Sequence, residues 1–493
     1  MNLEKARDSF ESSYARYHHL KSVASLLYWD SRTMMPPGAS AQRGEQLAFL
    51  EGEAHAVLAH PAFLEALEEL GSRAAELDPS LAAAVRWQLP RVRRKARVPE
   101  RLVRKKAELS VSSQNLWIEA RKQNDFAKFL PALETMVALA RETGQALSEP
   151  GQSVYEGLLT EYEGSFPLAD LSRLLEGLRA ELVPLVAEVV GRGQPRPDPA
   201  RFALAPDAQV ALNKKILELC GFDFSRGRLD VSVHPFCGGA AGDVRITSRY
   251  YADDFTKSLF ATLHEAGHGM YEQGLHSLVP HPALRESPGM GFHESQSRFW
   301  ENPVGRSREF LALILEEAKG AIPATLDELD VRANQVQPGY IRVEADEATY
   351  NLHIALRFEL EQALIAGKLE PRDLSEAWWG KIRSYFGLER AAESQGCLQD
   401  VHWSVGYFGY FPTYSLGNLI AAQMHERASR ELDIPALIRS RRLPELRHWL
   451  AEKVYRHGSS RSTLETAESA SGAPLGHEAF IRYLKAKHFG GRA

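Results

Sequence analysis

Two histidines and a glutamate in the segment TLHEAGHGM, residues 262–270, have the spacing of a hydrolytic metal site. On an α-helix, His264 and His268 lie one above the other and can present two imidazole nitrogens to a single metal ion. Glu265 projects about 100° away, where it can reach a water on that metal and take its proton. The pattern predicts metal-assisted hydrolysis, although five residues of this kind can also coincide by chance.

The flanking residues predict that this segment is helical. Asp253 and Asp254 are suitable N-cap residues, and apolar side chains such as Leu259 and Leu263 recur at helical spacing. We therefore expect a helix over about 254–273.

A third protein ligand is expected because catalytic zinc usually has three, with one position left open. Glu294 is the candidate, since Gly289 and Gly291 precede a segment, 293–300, that can form a second helix. The neighbouring His293 competes for this role, and it can equally be a buried structural histidine.

Composition excludes several classes of protein. The 493 residues are 44% hydrophobic and 25% charged, with a net charge of −5, which is typical of a globular protein without a global attraction to nucleic acid or membranes. The basic segment 91–106 is interpreted as a solvated helical face. Three cysteines, a charged N-terminus and the lack of a long apolar run predict a cytoplasmic protein.

Apolar periodicity predicts a mainly α protein with few strands. The chain opens with a helical hairpin turned by MMPPGAS, and a Pro- and Gly-rich stretch, 191–207, is the best candidate for a surface connection between two subdivisions. Helices are predicted over residues 3–29, 41–59, 62–76, 80–96, 100–123, 127–148 and 168–192.

The segment 227–250 differs from the rest in its alternating β-branched residues and Gly-rich turn, which predict a short β-hairpin. Residues 243–247 alternate polar and apolar, as an edge strand beside a substrate cleft would. A purely structural hairpin is the alternative.

Six ordered blocks and the N-terminal YWDSRTMMPPGAS resemble the Taq-type (thermostable) metallocarboxypeptidase family and extend over nearly the whole chain. The blocks are His234-Pro235-Phe236, Asp243-x-Arg245-x-Thr247, His264-Glu265-x-x-His268, His293-Glu294-Ser295, Ile341-Arg342-x-x-Ala345-Asp346 and Gly396-x-x-Gln399-Asp400-x-His402-Trp403.

The resemblance implies one mainly helical catalytic domain, residues 1–493, split by a deep cleft as in neurolysin and angiotensin-converting enzyme. It implies removal of C-terminal residues from peptides with broad specificity, and a homodimer. His264, His268 and Glu294 would bind one zinc ion per chain, with cobalt also possible, and Glu265 would be the general base.

A carboxypeptidase must recognise a free carboxylate, and arginine can hold one with two parallel hydrogen bonds. Arg342 is the first candidate and Arg245 the second. For either one, the alternative is a structural ion pair with an acid such as Asp346 or Asp243.

Stabilisation of the oxyanion calls for hydrogen-bond donors. By resemblance to related cleft peptidases, His402 fits this role, and Tyr414 or Tyr410 can supply a phenol. Tyr414 is preferred to Tyr410, and the alternative is that these aromatic residues belong to the core. The substrate-binding set also includes His234 and Gln399, which together with Asp400 are expected to shape the closed end of the groove. Asp346 is expected to support a metal-bound imidazole.

Two other functions are compatible with these residues. An oligoendopeptidase would use the same chemistry at internal bonds, and an inactive relative would bind peptides without cutting them.

Overall fold

Helices dominate the structure, a computed structural model that describes residues 2–164, 166–240 and 242–490. The first eight helices are α1 (Leu3–Thr33), α2 (Ser40–Ala59), α3 (Pro61–Ser72), α4 (Pro79–Arg97), α5 (Glu100–Gln123), α6 (Phe126–Leu147), α7 (Val154–Glu163) and α8 (Leu168–Gly191). Every helix predicted before residue 192 is present, and the ends differ by only a few residues.

A small sheet separates this half from the helices that follow. The central elements are α9 (Pro206–Cys220), β1 (Gly227–Val231), β2 (Cys237–Ala240), β3 (Asp243–Ser248), α10 (Phe255–Leu278) and α11 (Met290–Phe299). The last helices are α12 (Arg308–Glu317), α13 (Leu326–Ala333), α14 (Glu347–Ile365), α15 (Leu374–Phe386), α16 (Pro412–Glu431), α17 (Ile434–Arg439), α18 (Leu443–Lys453), α19 (Thr463–Ser471) and α20 (Glu478–Phe489). The mainly α prediction is confirmed.

The N-terminal helices pack through the apolar faces that predicted them. Ala6, Phe10 and Tyr14 recur at four-residue spacing on α1 and are all buried. A 3-10 turn at Pro37–Ala39 reverses the chain into α2, which completes the predicted helical hairpin. None of the described helices has the length and apolarity that crossing a bilayer requires.

The connection predicted at 191–207 lies largely at the surface but is anchored at several points. Gln194 exchanges two hydrogen bonds with the backbone of Val336, at 2.8 and 2.9 Å. Phe202 is buried, and the Leu204 amide donates to the carbonyl of Ala252. These contacts fasten the segment to the body, and a subdivision of the chain there stays a prediction.

The sheet corrects two details of the predicted hairpin. β2 and β3 form an antiparallel pair, but β1 pairs in parallel with the other side of β3, which gives the order β1-β3-β2. The strand predicted to be an edge is therefore the central one, with Val244 and Ile246 buried against α10. Sequence alternation marks a half-buried strand but does not reveal which neighbours it pairs with.

Glycines allow α10, α11 and α16 to approach one another unusually closely. A Cβ at Gly267 of α10 would lie 2.4 Å from the carbonyl oxygen of Gln296 in α11. A Cβ at Gly417 of α16 would lie 2.4 Å from Cγ of Glu294, also in α11. The contact at Gly267 is with backbone, which cannot yield as a flexible side chain can, and a Cβ at Gly417 would also lie 3.1 Å from the backbone carbon of Glu294. These two glycines therefore set the spacing of the three helices.

Replacing Gly267 with alanine should destabilise the protein by about 1–3 kcal/mol, because the added methyl overlaps the α11 backbone. Gly52→Ala in α2 is the matched control, since a Cβ there meets nothing within 4 Å, and helix propensity predicts a gain of up to about 1 kcal/mol. Urea unfolding with chelator present would measure both changes without a contribution from metal. Equal stabilisation by the two alanines would contradict the close approach.

Candidate metal centre and active-site cleft

Three ligand atoms converge where α10 meets α11. Nε2 of His264 lies 3.6 Å from Oε2 of Glu294, and Nε2 of His268 lies 3.5 Å from the same oxygen. The three side chains offer ligand atoms that all lie within 4.8 Å of one another. The expected N-cap, Asp254, accepts a hydrogen bond from the amide of Thr256 and begins the helix that carries both histidines.

This geometry fits a divalent metal ion. Tetrahedral zinc with ligand bonds of about 2.0–2.1 Å separates its ligand atoms by about 3.3 Å, close to the distances found here. Burial lowers the pKa of His268 to about 4, so its imidazole is neutral, as a metal ligand must be. Burial also disfavours charge on His264, but Glu294 and the hydrogen bond that the ring donates to Glu301 raise its pKa, which indicates that the site attracts positive charge.

Glu301 fixes the orientation of His264. Its Oε2 lies 2.9 Å from Nδ1 of His264, which leaves Nε2 of that ring free to face the other ligands. Glu301 lies in a π-helical turn, Trp300–Val304, that continues α11, and Arg298 and Arg306 each donate a hydrogen bond of 3.1 Å to it. A metal-ligating histidine commonly has such a carboxylate behind it.

Arg298 holds the carboxylate of Glu294 in place. Its Nε donates to Oε1 of Glu294 at 2.7 Å, so that Oε2 is the oxygen turned towards the histidines. Burial opposes ionisation of Glu294, but Arg298 and His264 outweigh burial and hold the pKa of this carboxyl below its ordinary value. The ligand is therefore ionised at neutral pH.

Glu265 is buried next to the three ligands and is the predicted general base. Burial raises its pKa to about 7, against the opposing effect of His264, and Glu294 adds to the increase. A carboxyl group that gains and loses a proton near neutral pH has the property that acid–base catalysis requires.

His293, the competing candidate ligand, lies behind His268. Its Nε2 is 2.8 Å from Oε1 of Glu272, and its ring stacks on His268 with centroids 4.5 Å apart. Among the described residues, the structure brings Glu294 rather than His293 to the two histidines. His293 and Glu272 instead support the ring of His268.

The predicted oxyanion donors form an aromatic cluster next to α11. Nε2 of His402 lies 3.4 Å from the hydroxyl of Tyr414, and the ring of Tyr410 lies 5.3 Å from that of Tyr414. Burial lowers the pKa of His402 to about 3, so the ring is neutral and can donate one hydrogen bond. Tyr414 is on α16, three residues before the glycine that contacts Glu294, whereas Tyr410 precedes that helix.

Arg342 is buried and shares Asp400 with a second arginine. Its Nε donates to Oδ1 of Asp400 at 3.0 Å, while Arg357 donates to Oδ2 at 2.7 Å. A third contact joins Arg342 to the hydroxyl of Tyr350 at 3.0 Å, and its Cζ lies 5.0 Å from the ring centroid of Tyr414. One carboxylate thus faces two guanidinium groups, and the three side chains together keep a net positive charge.

The other predicted substrate residues have different surroundings. Gln399 accepts a hydrogen bond from the amide of Arg342 and donates to backbone carbonyls, including that of Tyr340. It therefore holds the backbone on which Arg342 lies. Arg245 forms two hydrogen bonds to Asp243, the structural ion pair considered above, and stacks on an aromatic ring of α1. His234 is exposed in the loop before β2.

A cavity of about 520 Å³ opens beside His293. Helices α1, α4, α7 and α10 line it together with β2, whose residues Cys237–Ala240 all border it. β2, rather than the strand predicted from the sequence, is thus the edge strand that borders this cavity.

The supporting residues were the main omission of the sequence analysis. Asp346 does not support an imidazole: it caps α14 by accepting hydrogen bonds from the amides of Ala348 and Thr349, both at 3.0 Å. Glu301 has that role instead. The available signal was its position, seven residues or about two helical turns after Glu294, on the same side of the helix.

Two imidazoles and a carboxylate around one point, with a further buried carboxyl group beside them, are the site of a metallopeptidase. Over residues 9–488, the chain belongs to the carboxypeptidase Taq (M32) metallopeptidase family. It is accordingly a metal-dependent carboxypeptidase, a hydrolase that acts on peptides.

Similarity to known members extends over the full length. The chain is 37% identical to thermostable carboxypeptidase 1 of Thermus thermophilus over 490 residues, covering 95% of this chain and 96% of the relative. It is 32% identical to carboxypeptidase 1 of Bacillus subtilis, with 99% of each covered. The structure of metallocarboxypeptidase 1 of Trypanosoma cruzi matches with a TM-score of 0.94 at 34% identity, covering 99% of this chain and 100% of that one.

Replacing Glu301 with glutamine should weaken metal binding by about 10–100-fold, because the ring of His264 loses its ionised partner. Competition against a chelator of known affinity would measure the change. Asp346→Asn is the control: it perturbs a helix cap and should leave metal affinity unaltered. If the control weakens metal binding as much as Glu301→Gln does, Glu301 has no special role.

Proposed function

We propose that this protein is a zinc-dependent carboxypeptidase of broad specificity, with one metal ion per chain held by His264, His268 and Glu294. The convergence of their three ligand atoms, with Glu265 beside them, carries the proposal. Two nitrogens and a carboxylate oxygen suit zinc, and cobalt accepts the same set. The metal, when bound, supplies Lewis acidity that makes water a nucleophile at neutral pH.

Glu265 is the general base in this proposal. It takes a proton from the attacking water and delivers it to the nitrogen of the departing residue. Its burial and its raised pKa support the role, because a carboxylate of ordinary acidity is a weaker base and would take the proton from the water less readily.

His402 and Tyr414 stabilise the negative charge that develops on the carbonyl oxygen. Both are buried or nearly so, and hydrogen bonds from donors fixed in advance are strong in such surroundings. The neutral state of His402 is compatible with this role, since a neutral imidazole still has one N–H to donate. Tyr410, which packs against both, forms the adjoining wall.

Arg342 binds the C-terminal carboxylate of the substrate. Asp400 is shared by Arg342 and Arg357, so these three side chains together have one positive charge left for a substrate. Arg245 is the weaker candidate because it pairs one to one with Asp243, which leaves no net positive charge for a substrate carboxylate. Gln399 and His234 contribute by shaping the surroundings of these groups.

The remaining parts of the proposal concern assembly and location. The protein is a cytoplasmic homodimer that acts on short or unfolded peptides, without nucleic acid or membrane partners. Its near-neutral charge balance and three unpaired cysteines support the location and the lack of such partners, whereas the dimer rests on the family resemblance. Light scattering that gives the mass of a single chain across micromolar concentrations would contradict the dimer.

Replacing Glu265 with glutamine should lower kcat/KM on free-acid peptides by about a hundred-fold to ten-thousand-fold, because the amide cannot take the proton. Metal content by elemental analysis should stay at that of the wild type. An active variant, or a wild-type protein that hydrolyses peptides equally well with chelator present, would contradict the mechanism.

Replacing Arg342 with alanine should reduce kcat/KM on free-acid peptides by roughly 30-fold, which corresponds to about 2 kcal/mol, and Arg245→Ala should have a smaller effect. The matched substrates are the same peptides with amidated C-termini, on which Arg342→Ala should lose much less. Wild-type enzyme that cuts amidated peptides internally as fast as free acids would indicate an oligoendopeptidase, and absence of any cleavage would indicate an inactive peptide binder.

A further inference from the structure

A carboxyl group from a distant helix caps the helix that carries Glu294. The N-cap of α11 is Gly289, which has no side chain to accept a hydrogen bond from the first turn. Glu163, the last residue of α7, accepts one from the amide of Gly291 at 2.5 Å. A second contact of Glu163, at 3.4 Å, joins it to the hydroxyl of Thr463.

The fit around Glu163 is tight. A Cβ at Gly289 would lie 2.4 Å from Oε2 of Glu163, and a Cβ at Gly291 would lie 2.9 Å from Oε1. Glu163 is only 2% exposed, and burial raises its pKa to about 8, so the group is largely neutral at pH 7. Its oxygen can still accept from the amide in that state.

The other end of α7 is tied to the segment that carries His402. Tyr155 donates its hydroxyl to Oε2 of the fully buried Glu361 at 2.9 Å. Glu361 also accepts from Nε1 of Trp403 at 2.8 Å and from the amide of Gly409 at 3.1 Å. Both donors are next to residues of the aromatic cluster in the chain: Trp403 directly follows His402, and Gly409 directly precedes Tyr410.

Direct packing strengthens this second connection. A Cβ at Gly409 would lie 3.2 Å from the backbone carbon of Leu158, so the segment runs against α7 itself. The rings of Tyr162 and Tyr410 lie 5.1 Å apart. Tyr155 and Glu163 are eight positions apart on this helix, which makes α7 a spacer of about 12 Å between its two contacts.

We infer that α7 is a positioning element of the active site, which sets Glu294 and His402 at a fixed separation. Glu163 positions the metal-ligand helix through its first turn, and Tyr155 positions the His402 segment through Glu361. Neither residue is a catalytic residue. The inference rests on the roles proposed above for Glu294 and His402.

The first arm of the test measures metal affinity without substrate. Glu163→Leu, which removes the acceptor, should raise the dissociation constant for zinc by about 10–100-fold in chelator competition. Glu163→Gln matches the neutral carboxyl group and should stay within about two-fold of the wild type. Glu163→Asp withdraws the oxygen by one methylene and should resemble Glu163→Leu, which keeps the test valid if the leucine variant does not fold.

The second arm separates kcat from metal binding at saturating zinc. Tyr155→Phe removes one donor to Glu361 and should lower kcat by about ten-fold with KM and metal affinity unchanged. Tyr385→Phe is the matched control, because this buried tyrosine donates to Glu359 at 2.6 Å on another face of α14. Its loss should affect thermal stability alone.

Two results would overturn the inference. One is wild-type metal affinity in folded Glu163→Leu or Glu163→Asp, or a loss in Glu163→Gln equal to theirs. The other is an equal response of kcat to Tyr155→Phe and Tyr385→Phe, which would make both tyrosines merely structural. A His402→Gln variant with wild-type kcat would contradict the proposed role of His402, while the zinc measurements would still decide the role of Glu163.

Discussion

The close approach of α10, α11 and α16 is the constraint on which the site depends. Gly267 and Gly417 remove the side chains that would separate these helices, and Glu294 lies between them. Two histidines from one helix and a carboxylate from the next can meet at one point only at this spacing. Glycines at these contacts contribute no side-chain packing of their own. Buried aromatic residues nearby, such as Phe292 and Phe299, fill the surrounding core.

Charge compensation organises the buried polar groups. Glu294 and Glu301 are matched by Arg298 and Arg306, and Asp400 is matched twice, by Arg342 and Arg357. Buried charges are costly unless paired and hydrogen-bonded, so each group requires partners from other elements. Two carboxylates and two guanidinium groups therefore balance beside the histidines, whereas an excess positive charge lies near Asp400. In the proposed function, this positive charge faces the C-terminal carboxylate of the bound peptide.

Much of the fold and the centre of the site could be predicted from the sequence. Helix bounds followed apolar periodicity, Asp254 was a recognisable cap, and the i, i+4 spacing of His264 and His268 is a local property of a helix. Glu294 was expected because catalytic metal sites usually have three protein ligands, and the structure brings its carboxylate to the two histidines. The family resemblance added the segments around Arg342 and His402.

What could not be predicted depended on contacts between distant residues. The order of the strands follows from parallel pairing of β1 with β3, which alternation does not encode. The spacing of Glu301 from Glu294 makes it a candidate, but only the folded chain shows that its carboxylate reaches His264. Asp346 caps α14 instead, and a carboxylate that caps a helix looks the same in sequence as one that supports an imidazole. Residues such as Glu163 become meaningful only when the partner across the fold is known.

The sequence separation of these contacts also bears on how the molecule folds. The helices that supply the ligands are neighbours in the chain, joined by the short connection between Leu278 and Met290. The hydrogen bond from Tyr14 to Glu286 spans 272 positions, and the one from Trp117 to Leu398 spans 281. Loop-closure entropy grows with separation, so we expect the ligand pair to assemble before the N-terminal helices dock. A nascent chain would then be able to capture its metal while the cleft is still open on one side.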